Sequence, residues 1–513
     1  MARALAHPSP DPVATAAVER RTPVVPLLAL ATLLAAALRL PFLGTQSLWF
    51  DETYTIHVVH GSLGDLWHRV GATESTPPLF YLLTWAWVHV IGSDGAAAVR
   101  TVSALALVAA VPLAYAALRR LTGRDAALAV AALVAVSPLL SWYAVDARAY
   151  GLLVLVALLT VWACGAAIEQ PSRKRLALWA LAAAAALWTH WFAGFLILGE
   201  ALALLWMRRD AWRGVLFASG AALLALVPLL GLLRDQTGDD RASFIADTKL
   251  TDRVEQFVRQ FGSGQNVPRT WLEGALLALG LAALAAGTLL TVRRAFAPPR
   301  DALADDTGAL LPRDGARALL AVALVALLVP LALAAIKLYD RFNVRNVLYL
   351  WPLVAALAAP ALLRLRAVPL AALLALGVTA SLWGQLDWRY ENTDWRNAIA
   401  RVEAGPPTAP VVAVGRLGIP VAALYLHRTA ATAPLTTRRA WLVLEPARSP
   451  GHRELGPVDT PLVARLLAAF PQHRETRLHA FRVIELRAPR PIRLDPAALP
   501  DAALFPTVRS AAG

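Results

Sequence analysis

Long apolar runs dominate the first three quarters of the chain. A helix needs roughly 17 to 25 mostly apolar residues to cross a membrane, and runs of about this length recur between short polar loops. We predict about eleven spans, at 24–42, 97–118, 125–142, 148–168, 174–190, 192–207, 213–233, 271–292, 315–336, 346–364 and 367–384.

One further apolar run, 77–92, decides the topology. It is short and begins with two prolines, and if it spanned the membrane, the basic loops near 119–124, 173–175 and 208–213 would lie outside. That contradicts the tendency of basic loops to stay in the cytoplasm. We therefore expect the run to lie along the interface, with the N-terminus inside and the C-terminus outside. The predicted outer segments are 43–96, 142–148, the turn at His190, 234–270, 337–345 and the tail.

The pattern changes after about residue 385. Apolar runs of strand length follow at 409–415, 422–427, 440–445 and 481–486, with helical patterns at 394–404 and 460–470. The fold class predicted is a polytopic α-helical membrane protein with a small C-terminal α/β domain. Its parts are a cytoplasmic tail (1–23), a transmembrane domain (24–384) with a first outer loop (43–96), and an extracytoplasmic domain (385–513).

Composition agrees with a membrane protein. Of 513 residues, 58% are hydrophobic and 16% are charged, which is too apolar for a soluble domain. The net charge of +14 would suggest nucleic acid in a soluble protein. Here much of the arginine lies in short loops, where it orients the spans, so we exclude nucleic acid as a partner.

An acidic pair, Asp51 and Glu52, lies among aromatic residues just after the first span. Neighbouring carboxylates repel unless a cation or hydrogen-bond donors hold them, which favours a functional site. The alternative is that Asp51 caps a surface helix beginning at Glu52 and that both side chains are solvated.

Five segments together resemble the GT-C superfamily of glycosyltransferases, which use polyprenyl-phosphate-linked sugars. They are LWFDETYT (48–55), ESTPPLFYLL (74–83), AVRTVSALA (98–106), SPLLSWYAVDARAYGL (137–152) and DRFNVRNVLYLWPL (340–353). The nearest groups are the protein O-mannosyltransferases and the bacterial aminoarabinose transferase of lipid A. The resemblance implies an enzyme that transfers a sugar from a polyprenyl phosphate donor to a protein, lipid or polysaccharide acceptor. The topology places this acceptor outside the cytoplasm, and the Ala- and Arg-rich, Lys-poor composition indicates a bacterium, so we expect a bacterial plasma-membrane protein. The resemblance also implies that Asp51 is the base, with Glu52 beside it in the catalytic pair, and a single displacement would invert the anomeric carbon.

The chemistry requires few groups. An acceptor hydroxyl needs a positioned base, whereas polyprenyl phosphate leaves as a stable anion and needs no acid. Arginines suit the phosphate, and the outward-facing candidates are Arg148, Arg341 and Arg345. Arg341 and Arg345 would share a face on a helical turn, and Asp146 would orient Arg148. The alternative is that these arginines snorkel or bind ordinary membrane lipids.

A divalent metal ion is the cofactor to consider. Glu74 occupies the position where the aminoarabinose transferase carries a metal-binding glutamate, and His190 lies at another outer turn; together they could hold a cation near the donor phosphate. The alternative is that His190 makes a local hydrogen bond. Ser75 stands where the family has a basic residue, which puts a phosphate contact there in doubt.

Two other classes of protein fit parts of the pattern. A transporter or flippase of a lipid-linked sugar would also need outward arginines, but transporters place polar groups near the bilayer midplane, and these spans carry little internal charge. A scaffold anchored by the membrane domain would not need so many spans. Both alternatives rank below the transferase.

Overall fold

The computed structural model describes residues 23–238, 243–297 except 266, 268 and 269, 312–365, 368–389 except 388, 394–405, 409–445, 461–478 and 481–506. The predicted tail 1–23 therefore lies outside the described residues, apart from Pro23. The helices as far as residue 238 are α1 (Val24–Arg39), α2 (Phe50–Val59), α3 (Leu63–Thr73), α4 (Leu79–Ile91), α5 (Ala96–Thr122), α6 (Arg124–Val136), α7 (Pro138–Ala144), α8 (Tyr150–Glu169), α9 (Arg173–Thr189), α10 (Ala193–Met207), α11 (Trp212–Leu224) and α12 (Leu230–Gly238). The bundle is completed by α13 (Leu250–Ser263), α14 (Trp271–Phe296), α15 (Arg313–Ala335), α16 (Trp351–Arg364) and α17 (Val368–Leu386).

The predicted polytopic membrane fold is confirmed. Within the described residues, eight helical stretches are long and apolar enough to cross a membrane, or nine if the bent pair α6 and α7 is one span. The other two of the eleven predicted spans are α9 and α10, of 17 and 15 residues. The bend of 53° between α6 and α7 falls at Pro138, which has no N–H to continue the helix. Ser137 caps the second piece by accepting the Leu140 N–H at 3.3 Å.

Helix α4 is the run whose placement decides the topology. Its 13 residues extend about 20 Å, less than the roughly 30 Å of a bilayer core. The segment before α4 contacts α12, because the Gln236 side chain donates to the Thr76 carbonyl at 3.0 Å. The segment after it contacts the end of α2 through His60 and Asp94, 3.1 Å apart. Both ends of α4 thus lie at the same end of the bundle, as an interfacial helix requires.

Close helix packing depends on glycines at two crossings. A Cβ at Gly287 in α14 would lie 2.1 Å from the Leu357 carbonyl oxygen of α16, and a Cβ at Gly315 in α15 would lie 2.4 Å from that of Leu121 in α5. Small residues allow membrane helices to approach this closely, since lipid supplies no hydrophobic drive for association. Only glycine therefore fits at these two crossings without displacing backbone.

The C-terminal part is the predicted α/β domain. Its five-stranded sheet has the order β3-β4-β2-β1-β5, with β1 parallel to β2 and the other pairs antiparallel. Helices α18 and α19 cover one face and α20 the other. The elements are α18 (Trp395–Glu403), β1 (Val411–Val414), α19 (Ile419–Leu426), β2 (Leu435–Leu444), α20 (Pro461–Ala469), β3 (Gln472–Leu478), β4 (Phe481–Leu494) and β5 (Ala502–Phe505).

The strand predicted at 422–427 is wrong, because this segment lies in helix α19. Pro420 stands in the first turn, where its fixed φ favours a helix. Val421, Ala422 and Leu426 share the buried face. A short apolar run does not distinguish a buried helix from a buried strand by period alone. Strands β3 and β5 were not predicted; β3 is polar and mostly exposed, so it lacks an apolar run.

The C-terminal domain rests on the first outer loop. The Leu48 N–H donates to the Tyr425 hydroxyl at 2.8 Å, and the Arg396 N–H donates to the Ser47 hydroxyl at 3.1 Å. The Arg396 guanidinium also donates to the Thr45 carbonyl at 3.2 Å. These bonds hold the strand-like segment that leads directly into the acidic pair.

Candidate active site

The acidic pair, Asp51 and Glu52, lies at the start of α2, and its two side chains differ in solvent exposure. The helix begins at Phe50, and the Glu52 carboxylate accepts the N–H of Trp49 at 3.2 Å. The interpretation of Asp51 as the cap of a helix beginning at Glu52 is therefore wrong. Asp51 Oδ2 lies 3.2 Å from Arg345 Nη1, and 21% of each side chain is exposed. Glu52 is fully buried.

Glu52 is held by Arg100, a buried residue of α5. Arg100 Nε and Nη2 donate to the two carboxylate oxygens, both at 2.6 Å, and the Ala147 N–H donates to Glu52 Oε1 at 2.9 Å. The remaining guanidinium hydrogens bond the carbonyls of Leu43, Gln46 and Ser47 at 2.9 to 3.0 Å. This forked pair ties the first outer loop to α5 and to the turn before α8.

Arg148 is paired with Glu74. Arg148 Nη1 and Nη2 lie 3.0 and 2.8 Å from the two Glu74 oxygens, and the Tyr81 hydroxyl donates to Glu74 Oε2 at 2.7 Å. Arg148 Nη1 also donates to the Asp51 carbonyl at 3.2 Å. Burial lowers the pKa of Arg148, but the Glu74 carboxylate together with Tyr81, Asp51 and Tyr150 raises it by more, so this pKa lies above its usual range. Arg148 is thus a permanent cation that is hydrogen-bonded to the backbone of Asp51.

Asp146 contacts a different partner from the one predicted. Its carboxylate accepts the Trp49 indole N–H at 3.2 Å, whereas the side-chain bonds of Arg148 go to Glu74 and to the Asp51 carbonyl. Only the Asp146 backbone carbonyl bonds Arg148, through its N–H at 2.8 Å. Burial, together with the nearby Glu52 charge, raises the pKa of Asp146 to about 7.

The two late arginines do not share a helical face. Arg341 lies in non-helical chain, and a 3-10 helix (Arg345–Leu350) begins only at Arg345. The predicted helical turn is therefore wrong, and Arg345 alone of the two pairs with Asp51. Its guanidinium also lies over the rings of Tyr150 and Phe244, 6.0 and 5.3 Å from their centroids. The Arg341 guanidinium donates to the Asp340 carbonyl at 3.2 Å.

Glu74 and His190 do not fit a metal site as they are arranged. Both Glu74 oxygens are bonded to Arg148. His190 Nδ1 accepts the Phe192 N–H at 3.2 Å, so we assign the ring proton to Nε2, which is buried and without a partner among the described residues. Burial lowers the pKa of His190 to about 3, so the ring is a neutral donor. Within the described residues, no three His, Cys, Asp or Glu side chains form a metal-binding group.

Three residues of this region were not predicted as site residues: Arg100, Tyr81 and Arg253. Arg253 of α13 bonds Asp340 at 2.5 Å and the Phe342 carbonyl at 3.1 Å, and so holds the segment before Arg345. Arg100 could have been found from the sequence, because it is an arginine inside an apolar span, about one turn from the N-terminal end of α5. A charge in a span is costly unless it is paired, so its position predicts a partner.

The fold and the site together define a polytopic membrane protein with carboxylates and arginines gathered at one end of its helix bundle. Residues 75–233 match the family of dolichyl-phosphate-mannose-protein mannosyltransferases. The match covers less than half of the chain, and it agrees with the class of protein that the motifs predict. The matched segment begins one residue after Glu74. It includes Asp146 and Arg148 and does not include Asp51.

Two solved structures match this chain at low sequence identity. The Archaeoglobus fulgidus oligosaccharyltransferase in complex with zinc and sulfate is 14% identical, with a TM-score of 0.46 over 74% of this chain and 55% of that chain. ArnT from Cupriavidus metallidurans bound to undecaprenyl phosphate is 14% identical, with a TM-score of 0.43 over 91% of this chain and 98% of that chain. The chain thus spans about half the length of the archaeal enzyme. No protein of curated function matches the sequence.

Proposed function

We propose that this protein transfers a sugar, with inversion, from a polyprenyl phosphate donor to a hydroxyl-bearing acceptor outside the cytoplasm. The observation that supports this most is the accessible ion pair between Asp51 and Arg345, set beside two buried, fully engaged carboxylates. A base must reach its substrate, and Asp51 is the exposed carboxylate of the three.

The ion pair suggests how the donor binds. The phosphate of the donor would take the Arg345 guanidinium from Asp51, since a phosphate offers more acceptor oxygens for the same fork. Asp51 would then be free to accept the proton of the acceptor hydroxyl as the new glycosidic bond forms. Arg148, which is hydrogen-bonded to the Asp51 carbonyl, would stabilise the charge on the departing phosphate.

The buried carboxylates have supporting roles in this proposal. Glu52 positions the α2 start through Arg100, and Glu74 fixes Arg148 at the donor site. Asp146 holds the Trp49 indole beside Asp51. Arg341 stays a candidate for the outer part of the donor. In this proposal the positive charge at the donor phosphate comes mainly from Arg345, because Arg148 is paired with Glu74.

An apolar groove offers a place for the polyprenyl tail. It has a volume of about 310 Å³ and lies between α13, α14, α15 and α16. Phe257, Phe261 and Trp351 are among the lining residues, and the Phe257 ring lies 5.7 Å from the ring of Phe342, which precedes Arg345 in the chain. Leu350, the last residue of the 3-10 helix that begins at Arg345, also lines the groove. In this proposal the tail of a lipid whose phosphate binds Arg345 follows that helix into the groove.

We place the enzyme in a bacterial plasma membrane, with the N-terminus in the cytoplasm and Asp51 outside. The basic loops near Arg119, Arg173 and Arg208 lie at the other end of the spans from Asp51, which fits the positive-inside rule. In this orientation the C-terminal domain, 385–513, lies outside and supports the loop that carries Asp51.

The test is transfer of radiolabelled sugar from a panel of polyprenyl phosphate sugars into envelope fractions. Wild-type membranes should incorporate label, and the transfer rate of Asp51→Asn should be about 10²- to 10⁴-fold lower. Asp94→Asn is the matched control, because it removes an exposed acid of the same outer loop that pairs with His60. Full transfer by Asp51→Asn would refute the assignment of the base. Donor binding without consumption, even in wild type, would favour a transporter instead.

A further inference from the structure

An exposed phenylalanine, Phe244, stands beside the proposed active site. It lies in a 3-10 turn (Ser243–Ile245) between α12 and α13, and it is 53% exposed. The next residue, Ile245, is only 4% exposed, and the Ala246 N–H closes the turn by donating to the Ser243 carbonyl at 2.8 Å. The backbone of this turn is therefore anchored without the help of the Phe244 ring.

The Phe244 ring contacts a charged group instead of the apolar core. The guanidinium carbon of Arg345 lies over the ring, 5.3 Å from its centroid. The buried core of the membrane domain, as far as the structure describes it, does not include Phe244. A large side chain that stays half exposed gains only part of the stabilisation that burial would give it. The contact with Arg345 is thus the specific interaction that the described residues give this ring.

A second ring, that of Tyr150, also contacts Arg345. Its centroid lies 6.0 Å from the guanidinium carbon, and Tyr150 is buried. Arg345 Nη1 donates to the Asp51 carboxylate at 3.2 Å. An aromatic ring attracts a cation through its π face, whereas carboxylates and phosphates accept N–H groups. The ring contacts therefore do not compete with an oxygen ligand for the N–H groups of Arg345.

The rings matter when the donor binds. In the proposed mechanism Arg345 exchanges Asp51 for the donor phosphate, and its contacts with the rings of Tyr150 and Phe244 can persist through this exchange. Ordering a long, flexible arginine side chain costs conformational entropy, and a guanidinium that is already held loses less of it on binding. The Phe244 ring also keeps water from part of the guanidinium, and charges attract more strongly where water is excluded.

We propose that Phe244 is a positioning residue for the donor, whose ring holds the Arg345 guanidinium where the phosphate of the polyprenyl phosphate binds. The role of Phe244 rests on the proposed function, because it requires a phosphate at Arg345. Phe244 acts through Arg345 and takes no part in the bond changes. Loss of such a contact between a cation and a ring should weaken donor binding about threefold to thirtyfold.

Binding of polyprenyl phosphate to the purified full-length protein, followed by native mass spectrometry, tests this role. Phe244→Leu removes the ring and keeps an apolar side chain, so its dissociation constant should rise about tenfold. Phe244→Tyr keeps the ring and should bind as wild type does. Phe217→Leu is the matched control, because Phe217 is 82% exposed in α11 and lies outside the proposed site and groove. This control should leave binding unchanged.

Three further measurements separate an effect through Arg345 from other roles. In an Arg345→Gln background, Phe244→Leu should cause no further loss of binding, because the ring then has no cation to hold. In the transfer assay, Phe244→Leu should raise the KM for the donor while kcat changes little, as expected when an interaction common to the ground state and the transition state is lost. The unfolding midpoint of Phe244→Leu should stay near that of wild type, because the ring is half exposed.

Three results would overturn the role of Phe244. Wild-type binding by Phe244→Leu would mean that the ring only faces lipid. The same loss in the Arg345→Gln background would mean that the ring packs on the lipid tail. A lowered unfolding midpoint, with a loss of binding that Phe244→Tyr does not restore, would mean a structural role. If wild type binds polyprenyl phosphate and transfers no sugar, the proposed function fails, and the binding measurements still decide the role of Phe244.

Discussion

The pair of Arg100 and Glu52 allows the sharpest prediction, because the whole first outer loop depends on it. Replacing Arg100 by Met keeps an unbranched apolar side chain in place of the arginine stem and removes the guanidinium. Arg100 is 1% exposed and Glu52 is fully buried, so the carboxylate left behind would have no cation and little water. The carbonyls of Leu43 and Ser47 would lose their Arg100 donor as well, whereas the Gln46 carbonyl would keep its bond from Arg396 at 3.3 Å.

The expected cost follows from this geometry. Removing one partner of a buried ion pair costs about 3–5 kcal/mol, and each buried carbonyl left without a donor adds about 1–3 kcal/mol where water does not replace the bond. We therefore expect Arg100→Met to destabilise the protein by at least about 3 kcal/mol. Transfer activity should fall with stability, since Asp51 is the neighbour of Glu52.

The assay is unfolding of the purified protein in detergent, followed by tryptophan fluorescence. Glu52→Gln and the double variant complete a cycle, and the double variant should lose less than the sum of the single losses because no unpaired charge stays buried. Arg416→Met, at an exposed position of the C-terminal domain, is the control. If Arg100→Met unfolds as wild type does, or if the two single losses simply add, the buried pair does not hold the loop.

Four further predictions concern single groups. The pKa of Asp146 in the folded protein is raised to about 7, so the folded protein keeps this proton to higher pH than the unfolded chain does. The free energy of unfolding should therefore fall as pH rises from about 4 to about 7. Asp146→Asn should lack this pH dependence when unfolding is followed at several pH values. Glu200→Leu should cost about 1–3 kcal/mol in the same assay, because the Trp179 indole N–H now bonds Glu200 at 2.7 Å and would lose its acceptor; Glu200→Gln should cost less. Treatment with a chelator should leave sugar transfer unchanged, since Glu74 is bonded to Arg148. Tyr425→Phe should lower the transfer rate while the unfolding midpoint stays near that of wild type, because the lost bond to Leu48 holds only the approach to Asp51.

Each of these has a clear contrary result. An unchanged pH slope in Asp146→Asn would mean that the carboxylate is ionised in the folded protein. Equal stability of the Leu and Gln variants at position 200 would mean that Trp179 needs no acceptor there. Loss of transfer on chelation, with recovery on adding a divalent ion, would restore Glu74 and His190 as metal ligands. Full activity of Tyr425→Phe would show that the C-terminal domain does not position the loop.

The sequence by itself determined the membrane fold and the segments that form the site. Apolar run length decides whether a helix can span a bilayer, and loop charge decides its direction, so both are local properties of the chain. The same holds for α4, whose 13 residues are too few to cross. The order of the motifs along the chain then indicated which outer segments contain the candidate carboxylates and arginines.

Tertiary structure alone decided what each charged residue contacts. Asp51 and Glu52 are neighbours in sequence, yet Asp51 is partly exposed beside Arg345, whereas Glu52 is buried against Arg100. The partners of these two carboxylates lie 294 and 48 residues away along the chain. A local sequence pattern cannot predict which of two such distant residues will be in contact. Spacing also failed for Arg341, because the backbone before Arg345 is not helical. Burial and pairing of charges depend on how distant segments meet, so they became visible only when the helices were packed.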